Sequence, residues 1–172
     1  MLSAEAEDRG CRFIRAEQQV RIRAKFPPRT VQGETVMSQT RIGGCLCGAI
    51  RYSAKGEPVR MINCHCKICQ GSRGSALSTI ALCPRDALSL EGNLKGYEYA
   101  GDSGRKLETT FCPDGGAPVL LNIRAMPDVV LIKVGSVDDT TWFESIVDIW
   151  TDSAQNWFAE NADRKQFAKN PG

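Results

Sequence analysis

Hydrophobic and polar positions alternate in short stretches along the chain after Thr40. Ile50, Tyr52 and Ala54 are separated by Arg51, Ser53 and Lys55, the period-2 pattern of a half-buried strand. Tyr97 and Tyr99 flank Glu98 in a second candidate. Residues 129–134 form a mostly apolar run rich in β-branched side chains, which reads as a central strand. Ile146, Val147, Ile149 and Trp150 suggest another, and Trp150 and Trp157 read as core residues. Helical periodicity is weak, confined to a turn after Cys69 and a stretch over residues 159–168. The pattern predicts a mostly β protein with little helix.

Residues 1–36 read differently. They predict a disordered or weakly helical N-terminal extension, with a short helix over 11–25 stopped by Pro27 and Pro28. A single folded domain is expected over 37–172, and Met37 is a candidate start of the native chain. The net charge of +2 lies wholly in this extension, which holds seven basic and five acidic residues; the remainder holds 15 of each. A neutral domain without a basic stripe argues against nucleic acid as a partner. No apolar run approaches the roughly 20 residues of a membrane span, and the leading segment lacks the apolar stretch of a secretory signal. A cytoplasmic location is expected.

Eight cysteines and a single histidine then make thiol chemistry the question. Cys45 and Cys47 form a C-x-C pair, Cys64, Cys66 and Cys69 form C-x-C-x-x-C, and Cys112 opens a Cys-Pro-Asp-Gly-Gly turn. Thiolates at such spacing can face one ion, and zinc suits soft ligands without redox change. Disulfides are disfavoured in a reducing compartment. Three thiolates leave one position of a tetrahedral zinc open, the mark of a catalytic site. His65, between two ligands, should point away from the ion and serve by hydrogen bonding behind it or by touching a bound thiol. Cys11 and Cys83 read as bystanders.

The blocks 44–52, 64–69 and 111–113, with Ile149-Trp150-Thr151 and Asn156-Trp157 as weaker support, resemble the glutathione-dependent formaldehyde-activating enzyme and centromere protein V family over residues 41–171. The resemblance implies an Mss4-like fold, a bent pair of antiparallel sheets stitched by zinc. It implies a catalytic zinc on Cys64, Cys66 and Cys69, and a structural zinc on Cys45, Cys47 and Cys112. The fourth structural ligand is expected three residues after Cys112, where this chain has Gly115. Water or Asp114 could complete that shell, the site could bind weakly, or the fold could hold without it. The implied activity is that of a carbon–sulfur lyase joining a small thiol such as glutathione to a small aldehyde, as in S-hydroxymethylglutathione. Arg73 or Lys67 could pair with a glutathione carboxylate, and residues 71–75 could offer backbone N–H groups to it. The competing reading is a non-catalytic, zinc-stabilised protein-binding module.

Overall fold

The alternation at Ile50–Lys55 becomes a strand with its apolar side chains turned inward: Ile50, Tyr52 and Ala54 are all buried, while Lys55 is exposed. The structure, a computed structural model, describes residues 39–159 and 161–171. The expected N-terminal extension, its helix and Cys11 lie outside these residues. Among the described residues the order is β1 (Thr40–Gly44), β2 (Arg51–Lys55), β3 (Arg60–Cys64), α1 (Lys67–Arg73), β4 (Ser78–Pro84), β5 (Leu88–Glu91), β6 (Lys95–Ala100), β7 (Lys106–Phe111), β8 (Pro118–Ile123), β9 (Val129–Lys133), β10 (Val147–Ile149) and β11 (Lys165–Phe167). The fold is mostly β, as the pattern predicts. Among the described residues no helix is long and apolar enough to cross a membrane.

Two sheets form. One is three-stranded, β1-β2-β5, and the other eight-stranded, β11-β10-β3-β4-β9-β8-β7-β6. The strand pairs are antiparallel except at one edge, where β10 runs parallel to both β3 and β11. Parallel neighbours require a crossover of a dozen or more residues. The intervening chain supplies it, since β10 is linked to β11 through residues 150–164 and reaches β3 only after the rest of the sheet is laid down.

The large sheet is apolar on both faces. Successive residues of β9 alternate between them: Val130 and Ile132 pack with Ala81, Cys83 and the β2 residues, whereas Leu131 packs with Ile62, Ile80, Leu121 and Ile149. The first face is covered by the small sheet. There Tyr52 bonds Ser136 (Oη to Oγ, 2.9 Å), and the strand passes so close to Gly43 that a Cβ there would strike the tyrosine ring and the Ser136 carbonyl. The second face carries α1 and the site described below.

Two local expectations fail. The described residues of the 159–168 stretch do not form a helix; β11 lies there. The Asn161 side chain accepts from the Asp163 N–H (3.0 Å), and the Lys165 N–H pairs with Ile146 O (2.9 Å), so side-chain and sheet bonds displace helical ones. Trp157 is not core but 69% exposed, its ring edge-on to Phe158.

Candidate metal centre

Cys64 ends β3, Cys66 is the N-cap of α1 and Cys69 lies in its first turn. The tight spacing works because the cap turns the chain: the Cys69 N–H donates to Cys66 Sγ at 3.3 Å, in place of the oxygen that usually caps a helix. All three thiols are buried, and their sulfurs lie within 4.8 Å of one another. His65 is turned away from them. Its N–H bonds Ile149 O, and its ring is buried against Phe158 with Nε2 3.9 Å from Asp148 Oδ1. Asp148 is held in turn by Asn63 Nδ2 at 2.8 Å. Gln70 ties the helix to the segment after β10, donating to His65 O and Ser153 O and accepting from Gln155.

Two cations flank the triad. Lys133 extends from β9 beneath it and donates to Ser78 Oγ at 3.1 Å, almost fully buried. Burial brings its ammonium down to about 8. Arg73, at the end of α1, is half-buried and reaches Thr109 Oγ1 at 3.4 Å. Hydrogen bonds from the Cys64 and Cys66 thiols pull Cys69 down to about 3, and the charges of Lys133 and Arg73 act in the same direction. The reciprocal bonds with Cys66 and Cys69 push Cys64 up. Negative charge thus collects at Cys69 and protons at its partners, and a soft divalent ion would displace those protons. Three converging thiols with no competing hard ligand fit zinc. Lys133 was hidden in the sequence: its only signal is one charge at the end of an apolar strand. Lys67 is exposed and bonds Gln70 (3.4 Å) rather than facing the site. The Gly74 and Ser75 N–H groups, which could have faced an anion, are spent on Gln70 O as the helix C-cap.

The second group, Cys45, Cys47 and Cys112, also gathers within 4.8 Å. The Gly48 N–H closes a turn onto Cys45 O (2.9 Å), with Gly48 at φ 82°, where a side chain would be strained. Cys47 Sγ lies 3.3 Å from Cys45 Sγ and 3.5 Å from Cys112 Sγ. A zinc with bonds of 2.3 Å would space them about 3.8 Å apart, a small outward shift. Gly115 faces the group directly. A Cβ there would sit 3.0 Å from Cys47 Sγ and closer still to Cys45 Sγ. Its N–H donates to Cys112 Sγ at 3.3 Å. Asp114 is exposed and is not among the gathered ligand atoms, so it does not complete this shell. The seven described cysteines are all free, and Cys83 is a buried thiol in the core.

Residues 40–153, two thirds of the chain, match the family described as glutathione-dependent formaldehyde-activating enzyme. The chain belongs to this family. No curated protein matches it. Among solved structures, a crystal structure of a Rhodobacter sphaeroides protein has 20% identity and a TM-score of 0.44, covering 55% of this chain and 85% of that one. Both cysteine groups fall inside the formaldehyde-activating match, as do Arg73 and Lys133.

Two spaces open beside the first triad. One is a cavity of about 220 Å³ reaching Cys64, Cys66 and Cys69. The other is a shallower cleft lined by Ser72, Arg73, Tyr97, Tyr99 and Thr109. Ile68 and Tyr99 border both. Tyr99 Oη is held by Thr109 Oγ1 at 3.2 Å, and Tyr97 stacks on its ring.

Proposed function

We propose that the protein is a zinc-dependent carbon–sulfur lyase-like enzyme that forms or breaks the adduct of a small thiol, glutathione type, with an aldehyde. The observation that carries this reading is the convergence of three buried thiols at the floor of an open cavity, with two cations beside them. Cys64, Cys66 and Cys69 would hold zinc, which when bound supplies a Lewis acid able to keep a thiol ionised near neutral pH. A second zinc on Cys45, Cys47 and Cys112 would be structural. The free cysteines suit a reducing compartment such as the cytoplasm.

The chain's own residues bind and orient. Arg73 borders the cleft, and one buried guanidinium nitrogen, Nε, has no hydrogen-bond partner. A glutathione carboxylate is the ligand it fits. That placement sets the thiol near Ile68 and Tyr99, where cleft and cavity meet. The sulfur attacks the carbonyl carbon, a carbon–sulfur bond forms, the C=O π pair moves to oxygen, and the thiol proton ends on that oxygen. Tyr99, held by Thr109, is positioned to donate to the oxygen as charge develops there. No serine or histidine nucleophile is required, because the nucleophile belongs to the substrate.

The test is adduct formation from glutathione and formaldehyde above the uncatalysed rate, with Cys66→Ser as control. Catalysis by the wild type that disappears in Cys66→Ser supports the reading. Identical rates would favour a zinc-stabilised binding module.

A further inference from the structure

A sheet with one solvent-facing side normally alternates apolar and polar residues. The eight-stranded sheet does not. On the face away from the small sheet, Ile62, Ile80, Leu121, Leu131 and Ile149 form a continuous apolar floor, although among the described residues the small sheet lies on the opposite face and this one carries only the short helix α1. This floor and its half-buried rim of Leu82, Leu107, Ile123 and Val147 line the 220 Å³ cavity. Trp150 stands at its side in a left-handed conformation, φ 60°, which a non-glycine residue rarely adopts. Charged residues appear only among the exposed lining: Arg60, Asp102 and Arg105.

A one-carbon aldehyde would leave nearly all of this surface untouched. Glutathione cannot fill the floor either, because Arg60, Asp102 and Arg105 lie exposed at the mouth, and its charged groups would be buried unpaired against the aliphatic side chains below them. One of its carboxylates fits Arg73 in the neighbouring cleft instead. We propose that the cavity binds an aliphatic chain of about six to eight carbons carried by the aldehyde, so that the electrophile is a medium-chain aldehyde rather than formaldehyde. The size follows from the volume: an apolar cavity of about 150 Å³ accepts benzene, and this one is larger by nearly half. This assignment rests on the thiol–aldehyde reading above. The reaction balances as before, with the thiol proton transferred to the carbonyl oxygen and no oxidant needed.

The experiment uses the zinc-loaded full chain with glutathione and the series propanal, butanal, hexanal, octanal and decanal, whose carbonyls have similar reactivity. Burial of each methylene should raise kcat/KM about fourfold, an advantage of about 60-fold for hexanal over propanal, with a plateau or fall beyond eight carbons. Ile123→Phe, which narrows the cavity, should move the optimum to shorter chains. Separately, binding of 1-propanol, 1-hexanol and 1-octanol is followed by tryptophan emission, since Trp150 lines the cavity. A flat chain-length profile with formaldehyde still turned over would overturn the cavity assignment and leave the reaction intact. Alkanol affinity that rises with chain length while no aldehyde reacts would sink the reaction, and with it the aldehyde as the carrier of the chain. Alkanol affinity independent of chain length would overturn the cavity assignment whatever the activity.

Discussion

Gly115 offers the most decisive single substitution. Its φ is not in the left-handed region, so the backbone there does not demand glycine. What glycine leaves open is the space in front of Cys45 and Cys47. Gly115→Ala would push a methyl to 3.0 Å from Cys47 Sγ and nearer to Cys45 Sγ, against an ordinary contact of about 3.5–4.0 Å. Relief needs the Cys47 sulfur to retreat by several tenths of an ångström and the Cys45 sulfur by about one ångström, an overpacking cost of about 1–3 kcal/mol. Gly115→Cys carries the same Cβ and the same cost, but adds a fourth thiolate. If that ligand tightens zinc binding a hundredfold, the gain is about 2.7 kcal/mol under saturating metal. In chelator both variants should therefore melt below the wild type, by about 3–10 °C. With zinc the cysteine variant should return to or exceed the wild-type Tm, while the alanine variant stays low. Scanning calorimetry with and without chelator, and zinc counted per chain, read this out. Equal melting of the two variants in zinc would refute the view that position 115 addresses the metal.

Cys66→Ser should remove one equivalent of zinc per chain by metal analysis while the mostly β circular dichroism persists. Tyr52 gives an alkaline prediction: burial raises its hydroxyl to about 12 from an ordinary 10. A group with a raised folded pKa contributes stability that is complete below pH 10 and lost as pH climbs through 12. The loss is about 2–3 kcal/mol, visible in urea titrations across that window and abolished in Tyr52→Phe. Gly43→Ala should destabilise by several kcal/mol in chemical denaturation, because its methyl meets the Tyr52 ring and backbone that cannot move.

Much of the site was legible because its ligands are close in sequence. Residues 64–69 form their own turn, so spacing alone predicts that the three thiols converge. Cys112 could be joined to Cys45 and Cys47 only through the family resemblance, since nothing in the chain that separates Cys47 from Cys112, 65 positions apart, encodes the approach locally. The β2 alternation and the β9 run were readable for the same local reason. Trp157 and the residue 159–168 stretch were misread because an apolar ring and a loose helical period say nothing about tertiary covering. Lys133 and the cavity were invisible for a further reason. The apolar runs of β4, β8 and β9 announce strands with two apolar faces, but whether a layer or a ligand covers the second face depends on how the strands are ordered.

The pairing of β10 with β3 also sets an order of events. The cysteine triad is complete once residue 69 is made, but the strand beside Cys64 and the Ser153 and Gln155 anchors of Gln70 arrive about 80 residues later. During synthesis the nascent chain therefore carries three gathered free thiols and an uncovered aliphatic sheet face before its last strands emerge. Contacts of such long sequence separation form slowly, and exposed strands in the interval invite aggregation. Early capture of a metal by the local turn would hold β3 and α1 together while the sheet waits for its closing strand. Metal supply during translation should then govern the yield of folded protein more strongly than metal added afterwards.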